Sequence, residues 1–403
     1  MAETTNYQCP NCNGRLHYNG SIGKLQCEFC GSAFTNEEVE VLYAQKQAAA
    51  DAKAAGDREA KVAEEKGVKA GKVSTAAAST AEATRVEAKH AKTGDPIQDY
   101  LNAAKWDDSD IDNMRAYNCP SCGAQLMVDQ VTAVTSCPYC GNNTVVPGQL
   151  SDVLKPDLVI PFKYDKNAAV AALKSYYQGK PLLPNSFTAE NHIQEIQGVY
   201  VPFWLYSGTG TGDAVLNGRN VRTWSDKNNV YTETDHYRLY RTGIMEFDRV
   251  PVDGSSKMPD AHMDAIEPYD YSELVPFSMA YMPGYLAERY DYDVKQCDPR
   301  ARNRAENTCA EEILKTGHGY MEVDVGSVDA DVQWTNVAYA LLPVWMLHTK
   351  WKGTDYLFAM NGQTGKLIGD LPIDQGKVTR RFIMMFLPLA IIIAVAIFFL
   401  FGF

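Results

Sequence analysis

The pattern of hydrophobic and polar positions divides the chain into stretches that call for different kinds of structure. From Phe382 to Phe401 twenty residues, FIMMFLPLAIIIAVAIFFLF, carry no charged or strongly polar side chain. At about 1.5 Å of rise per residue, a helix of that length covers about 30 Å, the hydrocarbon thickness of a bilayer. A core helix of a soluble protein is seldom apolar on every side for so long. The pattern therefore predicts a transmembrane helix, with Pro388 a candidate kink in its first third. Residues 37–95 are the opposite material. Alanine, lysine and glutamate dominate, and large apolar residues almost vanish after Tyr43. Such a stretch favours helix but has no stripe to bury, and its heptad positions lack the leucine or isoleucine of a coiled coil. It reads as a semi-rigid, partly helical spacer that holds whatever precedes it away from the body.

Residues 153–372 alternate strand and helix signals, and two passages follow a similar course. Pro161-Phe162 precedes a helical run, AAVAALKSYY; an apolar strand with Pro202-Phe203-Trp204 follows, then Asn217-Gly218. Later Pro276-Phe277 precedes a second helical run, ARNRAENTCAEEILKTG, followed by a strand with Pro343-Val344-Trp345 and by Asn361-Gly362. Asn-Gly favours the tight primed turns of β-hairpins, so a hairpin is expected at each. The pattern predicts an α+β body with an internal duplication.

The cysteines add chemistry to this outline. Cys9, Cys12, Cys27 and Cys30 form two C-x2-C pairs with fourteen residues between them, and Cys119, Cys122, Cys137 and Cys140 repeat that spacing. A two-residue spacer lets one tight turn present two thiolates to one ion, and two such knuckles complete a tetrahedral zinc shell. The units also share Pro10 with Pro120, Leu16 with Leu126 and Gly31 with Gly141. Glycine after the last ligand suits a turn with positive φ, and each leucine is expected to pack the apolar face of its ribbon. Both shells are filled by protein, so the expectation is two structural Zn2+ ions with no open position for a catalytic water. Cys137-Pro138-Tyr139-Cys140 alone could be a redox dithiol, but GNNTVVPG after it reads as turn and strand rather than helix. A disulfide framework is the other alternative. MAETTNYQCP lacks the apolar core of a signal peptide, which favours a reducing compartment. Cys297 and Cys309 are expected as buried thiols.

Of 403 residues, 50 are acidic and 38 basic, for a formal net charge of −12. That balance argues against a general affinity for nucleic acid or anionic lipid. Neither ribbon is a basic island: one carries Arg15, Lys24 and Glu28, the other only Asp129. Lys377, Arg380 and Arg381 precede the apolar span, which by the positive-inside tendency places the preceding chain in the cytoplasm of a single-pass protein anchored by its tail.

The CPxC-type knuckles together with DLVIPFKYDKNAAV, GVYVPFWLY, VPVDGSSKMPDAHMDAIEPYDYSELVPFSMAYMPGYLAERYD and LLPVW resemble the bacterial TFIIB-type zinc-ribbon membrane proteins, over residues 115–372. Members are often named after a replication-restart helicase on the ribbon alone. The resemblance implies a zinc ribbon at a membrane, and partners among phage-shock-type envelope-stress proteins or membrane scaffold proteins.

Helicase chemistry needs a phosphate-binding loop, G-x4-G-K-[ST]. Gly67 to Val73 is one residue short and ends wrongly, and Gly362 to Lys366 reads as a hairpin turn. Asp260-Ala-His262-Met-Asp264 offers one histidine without a second at ligand spacing and reads as a surface loop. Ser255 and Ser256 lack a nucleophile elbow, EPYDYSE reads as a solvated loop, and VPFWLY reads as core. No enzyme site, cofactor site or small-molecule substrate emerges. The expected organisation is a first ribbon at 1–36, a spacer at 37–114, a second ribbon at 115–150, an α+β body at 151–376 and an anchor at 377–403. The expected role is a non-catalytic scaffold or adaptor that recruits cytosolic proteins to the cytoplasmic face of the cell membrane. A membrane-tethered nucleic-acid-binding protein is the alternative.

Overall fold

The structure is a computed structural model that describes residues 9–12, 14, 16–42, 45, 94–103, 114–129, 137–140, 146–148, 154–190 and 195–402. Most of the stretch expected to be a spacer, and with it the question of its helicity, lies outside the described residues. Strands β1 (Leu16–Asn19), β2 (Lys24–Cys27) and β3 (Ala33–Phe34) form a small antiparallel sheet. A helical stretch at 36–42 follows. Thr35 starts it with a capping box, accepting the Glu38 amide on its hydroxyl while the Glu38 carboxylate accepts the Thr35 amide. Next come α1 (Pro96–Ala103), β4 (Met114–Asn118), β5 (Gln125–Asp129), β6 (Val146–Gly148), β7 (Leu158–Val159), α2 (Lys166–Tyr177), α3 (Asn185–Glu190), β8 (Gln197–Ser225) and β9 (Val230–Asp253). The chain continues through α4 (Asp260–Ile266), β10 (Val275–Pro276), β11 (Leu286–Glu288), α5 (Val294–Lys315), β12 (Glu322–Trp351), β13 (Thr354–Asn361), β14 (Leu367–Gly369) and α6 (Gln375–Phe401).

One mixed sheet, in the order β10-β7-β12-β8-β11-β5-β4-β6, organises everything after the first ribbon, with β9 on β8 and β13 on β12. The internal duplication is written in its register. β7 runs parallel to β12 with Leu158 opposite Ala340 and Val159 opposite Leu341. β11 runs parallel to β8 with Leu286 opposite Val199 and Ala287 opposite Tyr200. The two central strands β8 and β12 are antiparallel and pair Val201 with Leu342, and a pseudo-twofold axis passes through that pair. Each half is a strand, a helix and a hairpin: β7-α2-β8-β9 and β11-α5-β12-β13.

Specific hydrogen bonds obey the same axis. Asp165 caps α2 by accepting the Ala168 amide at 2.8 Å, and Asp293 caps α5 by accepting the Gln296 amide at 2.8 Å. The Gly362 amide donates to the Pro343 carbonyl and the Gly254 amide to the Pro202 carbonyl, both at 2.8 Å. The Gly362 carbonyl accepts from Lys163 and Tyr164, and the Gly254 carbonyl accepts from Asp291 and Tyr292. The second half therefore begins at Leu286, not at Pro276-Phe277 as the sequence pattern had it. The counterpart of Asn361-Gly362 is Asp253-Gly254. Asn361-Gly362 does end β13 in a turn, but Asn217-Gly218 lies inside β8, paired with β9 and β12 on either side. The actual turn between β8 and β9 is at 226–229, where Asp226 accepts the amides of Asn228 and Asn229.

The core lies where the two halves meet. Val201, Phe203, Trp204, Leu205 and Tyr206 are buried in β8, and Leu341, Leu342, Val344, Trp345 and Met346 in β12, so VPFWLY is core as expected. Helix α5 buries Val294, Cys297, Ala301, Ala305, Cys309 and Ile313, a single face at helical spacing whose small residues let it lie close on the sheet. Cys297 and Cys309 are thus buried thiols. Beyond the core, β8, β9 and β12 continue as a three-stranded blade. Register shifts at Tyr206/Gly208 and Trp334/Asn336 mark where it leaves the body, as bulges that bend strands do. One side of the blade is covered by α5, with Ala214, Leu216, Leu239 and Ile313 in contact.

Two expected loops are structured. Asp260 to Asp264 lies in α4, where Asp264 and Asp260 pair with Arg300 of α5. In EPYDYSE, Tyr269 is buried and Glu267 pairs with Arg304 at 2.6 Å. Asp260, Asp264 and Glu267 face the arginines of α5, while Glu273 pairs with Lys163 and Asp270 caps Ser272.

The larger difference concerns the first ribbon. The spacer was expected to hold it away, yet it is docked. The Tyr18 amide donates to the Pro283 carbonyl, Tyr285 Oη donates to the Tyr18 carbonyl at 3.2 Å, and Tyr18 meets the Tyr281 ring edge-on. An added Cβ on Gly20 would lie 1.8 Å from the Phe162 carbonyl oxygen, so only glycine permits this approach. The physical reason is burial: Leu16, Tyr18, Leu25 and Val39 join the main core, and a ribbon this small cannot cover them alone.

Candidate metal centres

Each centre is built from two tight turns held by backbone bonds. In the first, the Cys9 amide donates to the Gly14 carbonyl and the Gly31 amide to the Cys27 carbonyl, with Gly31 at φ 71°. That positive φ is the reason for glycine after the last ligand. In the second, the Cys119 amide donates to the Ala124 carbonyl and the Gly123 amide to the Cys119 carbonyl; Gly141 lies outside the described residues. The thiols converge. Within each set of four, all sulfur atoms lie within 4.8 Å of one another. Cys9 and Cys30 are 3.5 Å apart at Sγ, Cys12 and Cys27 3.4 Å, Cys119 and Cys140 3.6 Å, Cys122 and Cys137 3.7 Å.

These distances test the fit. A tetrahedral zinc shell with Zn–S bonds of about 2.3 Å has edges of about 3.8 Å, whereas a disulfide needs about 2.05 Å. The sulfurs sit near the first value and far from the second, and all ten cysteines are free. The two groups of four could each hold a metal ion, consistent with zinc. Burial pushes the Cys122 thiol up to about 11 and raises Cys137 as well, whereas the Ser32 hydroxyl and amide hold the exposed Cys30 thiol down to about 6. A bound dication would supply the charge that lets all four sulfurs ionise.

The structure fixes the two centres to the body differently. The first docks by its hairpin face, as described. The second is part of the body sheet: β5 pairs with β11, Leu126 opposite Glu288 and Met127 opposite Ala287, so the boundary expected at 150 falls inside one continuous sheet. Leu16 and Leu126 are both buried, each in a cluster that joins its own ribbon to the body.

Sequence reasoning missed one group of residues beside the second centre. Tyr139, between the last two ligands, donates from Oη to Glu288 Oε2 at 2.5 Å, and Ser255 Oγ donates to Glu288 Oε1 at 2.7 Å. Glu288 is fully buried, and burial lifts its carboxyl to about 8. Lys257 meets Asp291 at 3.1 Å beside it, on the wall of a polar cavity of about 300 Å3. The available signal was a glutamate inside an otherwise apolar strand, Leu286-Ala287-Glu288. The three residues tie the metal knuckle to β11.

Fold and site together define a protein with two four-cysteine centres on a duplicated α+β body, followed by a helix long and apolar enough to cross a membrane. Over 316 residues, 66% of this chain and 93% of the other, the sequence is 36% identical to the uncharacterized protein YdjG of Bacillus subtilis (strain 168). The chain belongs to the YdjG family. No protein-family profile and no solved structure matches it.

Proposed function

We propose that this protein is a non-catalytic, membrane-anchored adaptor whose two four-cysteine centres hold structural zinc and whose cytoplasmic body recruits other proteins to the membrane. The observation that carries the reading is the blade. Among the described residues strand β9 pairs only with β8, so its 24 residues present a free edge, the kind of edge onto which a partner strand can add. The face turned away from α5 exposes Tyr240 and Ile244, 69% and 73% accessible, four residues apart on one strand. Trp224 stacks on Tyr231 near the blade tip, with both rings exposed. Exposed aromatic and aliphatic side chains beside an open edge suit a protein partner better than a polyanion.

The anchor is α6, whose candidate span Gln375–Val395 has no buried part. Arg380 and Arg381 at its start favour a cytoplasmic body, and free cysteines suit a reducing compartment. The resemblance to TFIIB-type zinc-ribbon membrane proteins supports partners of the phage-shock or membrane-scaffold kind. The test is capture of the full chain from detergent-solubilised membranes, with and without nuclease, beside a Tyr240→Asp/Ile244→Asp variant. Proteins that survive nuclease and are lost in the variant are the expected result. Loss on nuclease treatment would favour nucleic-acid binding instead, and an unchanged partner set in the variant would remove the blade as the recruiting surface.

A further inference from the structure

The net charge of −12 hides a local reversal at the end of the body where α6 begins. Asp374 caps that helix, accepting the Lys377 amide at 3.1 Å on its side chain, and its own amide donates to the Leu182 carbonyl. Lys377 Nζ donates to the Leu183 carbonyl and to Asn185 Oδ1. The first turn of α6 is thus bolted to the loop between α2 and α3, and the apolar run starts one turn further on. Behind that loop, Phe187 of α3 packs edge-on against Trp351 and Tyr356. This places the β12–β13 turn at the same end of the body.

The exposed groups there are cations. Lys180 reaches over the Tyr176 ring at 4.7 Å and Lys352 over the Trp351 ring at 4.5 Å. Lys350, one residue before Trp351 and so on the other face of β12, has a side chain 64% accessible, and Arg380 and Arg381 are exposed on α6. Of the acidic groups nearby, Asp374 is taken up by the α6 cap and Asp370 meets His262 at 3.3 Å, while Asp355 meets His348 at 3.5 Å and offsets Lys350 at 3.9 Å. Ile373 is exposed just before the helix. Lysines beside tryptophan and tyrosine, with a bare isoleucine, make the mixture of charge and amphipathic rings that suits a lipid headgroup layer.

We infer that the body end formed by Lys180, Lys350, Trp351 and Lys352 is a docking surface for anionic phospholipid headgroups, so that the body sits on the bilayer rather than swinging free above it. The inference rests on α6 spanning the membrane. The chain turns into α6 within bonding distance of the Lys180 loop, so the surface falls inside the reach of membrane charge, about 8–10 Å at ordinary salt. The blade tip with Lys227 lies at the far end of the long strands, because β12 runs from Glu322, opposite Arg219 of the blade, to the Trp351 turn, bulging twice on the way.

The experiment is amine acylation of the full chain, read lysine by lysine by mass spectrometry, in nanodiscs of pure phosphatidylcholine and in nanodiscs with a phosphatidylglycerol fraction. Lys227 is the internal control. Contact with anionic lipid should slow acylation of Lys180, Lys350 and Lys352 about fivefold relative to Lys227, the fold-change equivalent to about 1 kcal/mol per lysine at a membrane surface. The difference should vanish at high salt, and Lys350→Glu/Lys352→Glu should abolish protection of Lys180. Equal rates in both lipids, with the chain firmly in the discs, would overturn the docking surface and leave the anchor intact. Failure of the chain to enter discs of either kind would overturn the anchor, and the docking surface with it.

Discussion

Trp204 and Trp345 are twofold equivalents: each indole Nε1 donates at 2.9 Å to the carbonyl of a tyrosine that precedes a helix-capping aspartate, Tyr292 for the first and Tyr164 for the second. Each donor comes from a hairpin strand of one half and each acceptor from the strand-to-helix connection of the other. The two bonds therefore cross the pseudo-twofold axis and staple the halves together. The rings repeat the pattern, with Trp345 edge-on to Phe162 at 5.3 Å and Trp204 to Tyr290 at 5.2 Å.

If these staples are equivalent, their loss should cost the same. Trp204→Phe and Trp345→Phe each remove one donor and leave a carbonyl without it, a change worth about 1–3 kcal/mol. Denaturant unfolding of the detergent-solubilised chain should show matching losses for the two variants. A loss in one variant alone would mean that one half carries the interface.

The two metal centres should not be equivalent. Elemental analysis of metal-replete, reduced protein should give two zinc ions per chain, and one in either Cys12→Ser or Cys122→Ser. Because β5 belongs to the body sheet, Cys122→Ser should also lower the melting temperature of the body. A loss of about 3 kcal/mol, well below the 10–16 kcal/mol of a structural zinc site, corresponds to about 6–12 °C. Cys12→Ser should spare most of that.

Gly20→Ala tests docking of the first ribbon without touching its ligands. The added methyl group meets the Phe162 carbonyl, so hydrogen exchange at residues 16–42 should rise while zinc content stays at two. Unchanged exchange would mean that the ribbon does not rest on the body in solution.

Glu288 makes stability depend on pH in a stated direction. Its folded carboxyl titrates near 8, against 4.5 for the ordinary group. Between those values the folded state holds a proton that the unfolded state has lost, so stability falls as pH rises through the window, by up to about 1.4 kcal/mol per pH unit. Glu288→Gln keeps one acceptor oxygen and sets an NH2 donor against the other hydroxyl, which can turn to accept, and it has no proton to lose. Melting curves with saturating zinc from pH 6.5 to 8.5 should slope downward in the parent and lie flatter in the variant.

The ligand sets, the apolar α6 and the helices α2 and α5 were legible because their signals are local: C-x2-C spacing, an unbroken apolar run, and small or apolar residues repeating at three and four. The repeat was visible but misaligned. Glu288 stands where the first half has Ile160, and Tyr290 where it has Phe162, so the matching strand no longer looks alike. Pro276-Phe277 drew attention because it copies two letters without sharing the position. Asn217-Gly218 misled for another reason. It sits under the Tyr320 ring with a strand on each side, and two ladders outweigh the turn preference of one dipeptide. Docking of the first ribbon depends on Tyr281, Pro283 and Tyr285, more than two hundred residues downstream of it, where no local pattern points back.

The twofold axis also separates two tasks. Because the halves are antiparallel at Val201 and Leu342, their hairpins leave the body in opposite directions. The β12–β13 hairpin is short and stays near the base of α6, while β8–β9 extends outward with no described neighbour at its tip. Length can therefore be added to one hairpin without disturbing the other. Two residues inserted in each of β8 and β9 would lengthen the blade by about 6–7 Å and keep every side chain on its original face. The fold thus offers an adjustable span, and relatives with blades of unequal length could seat on the same foundation.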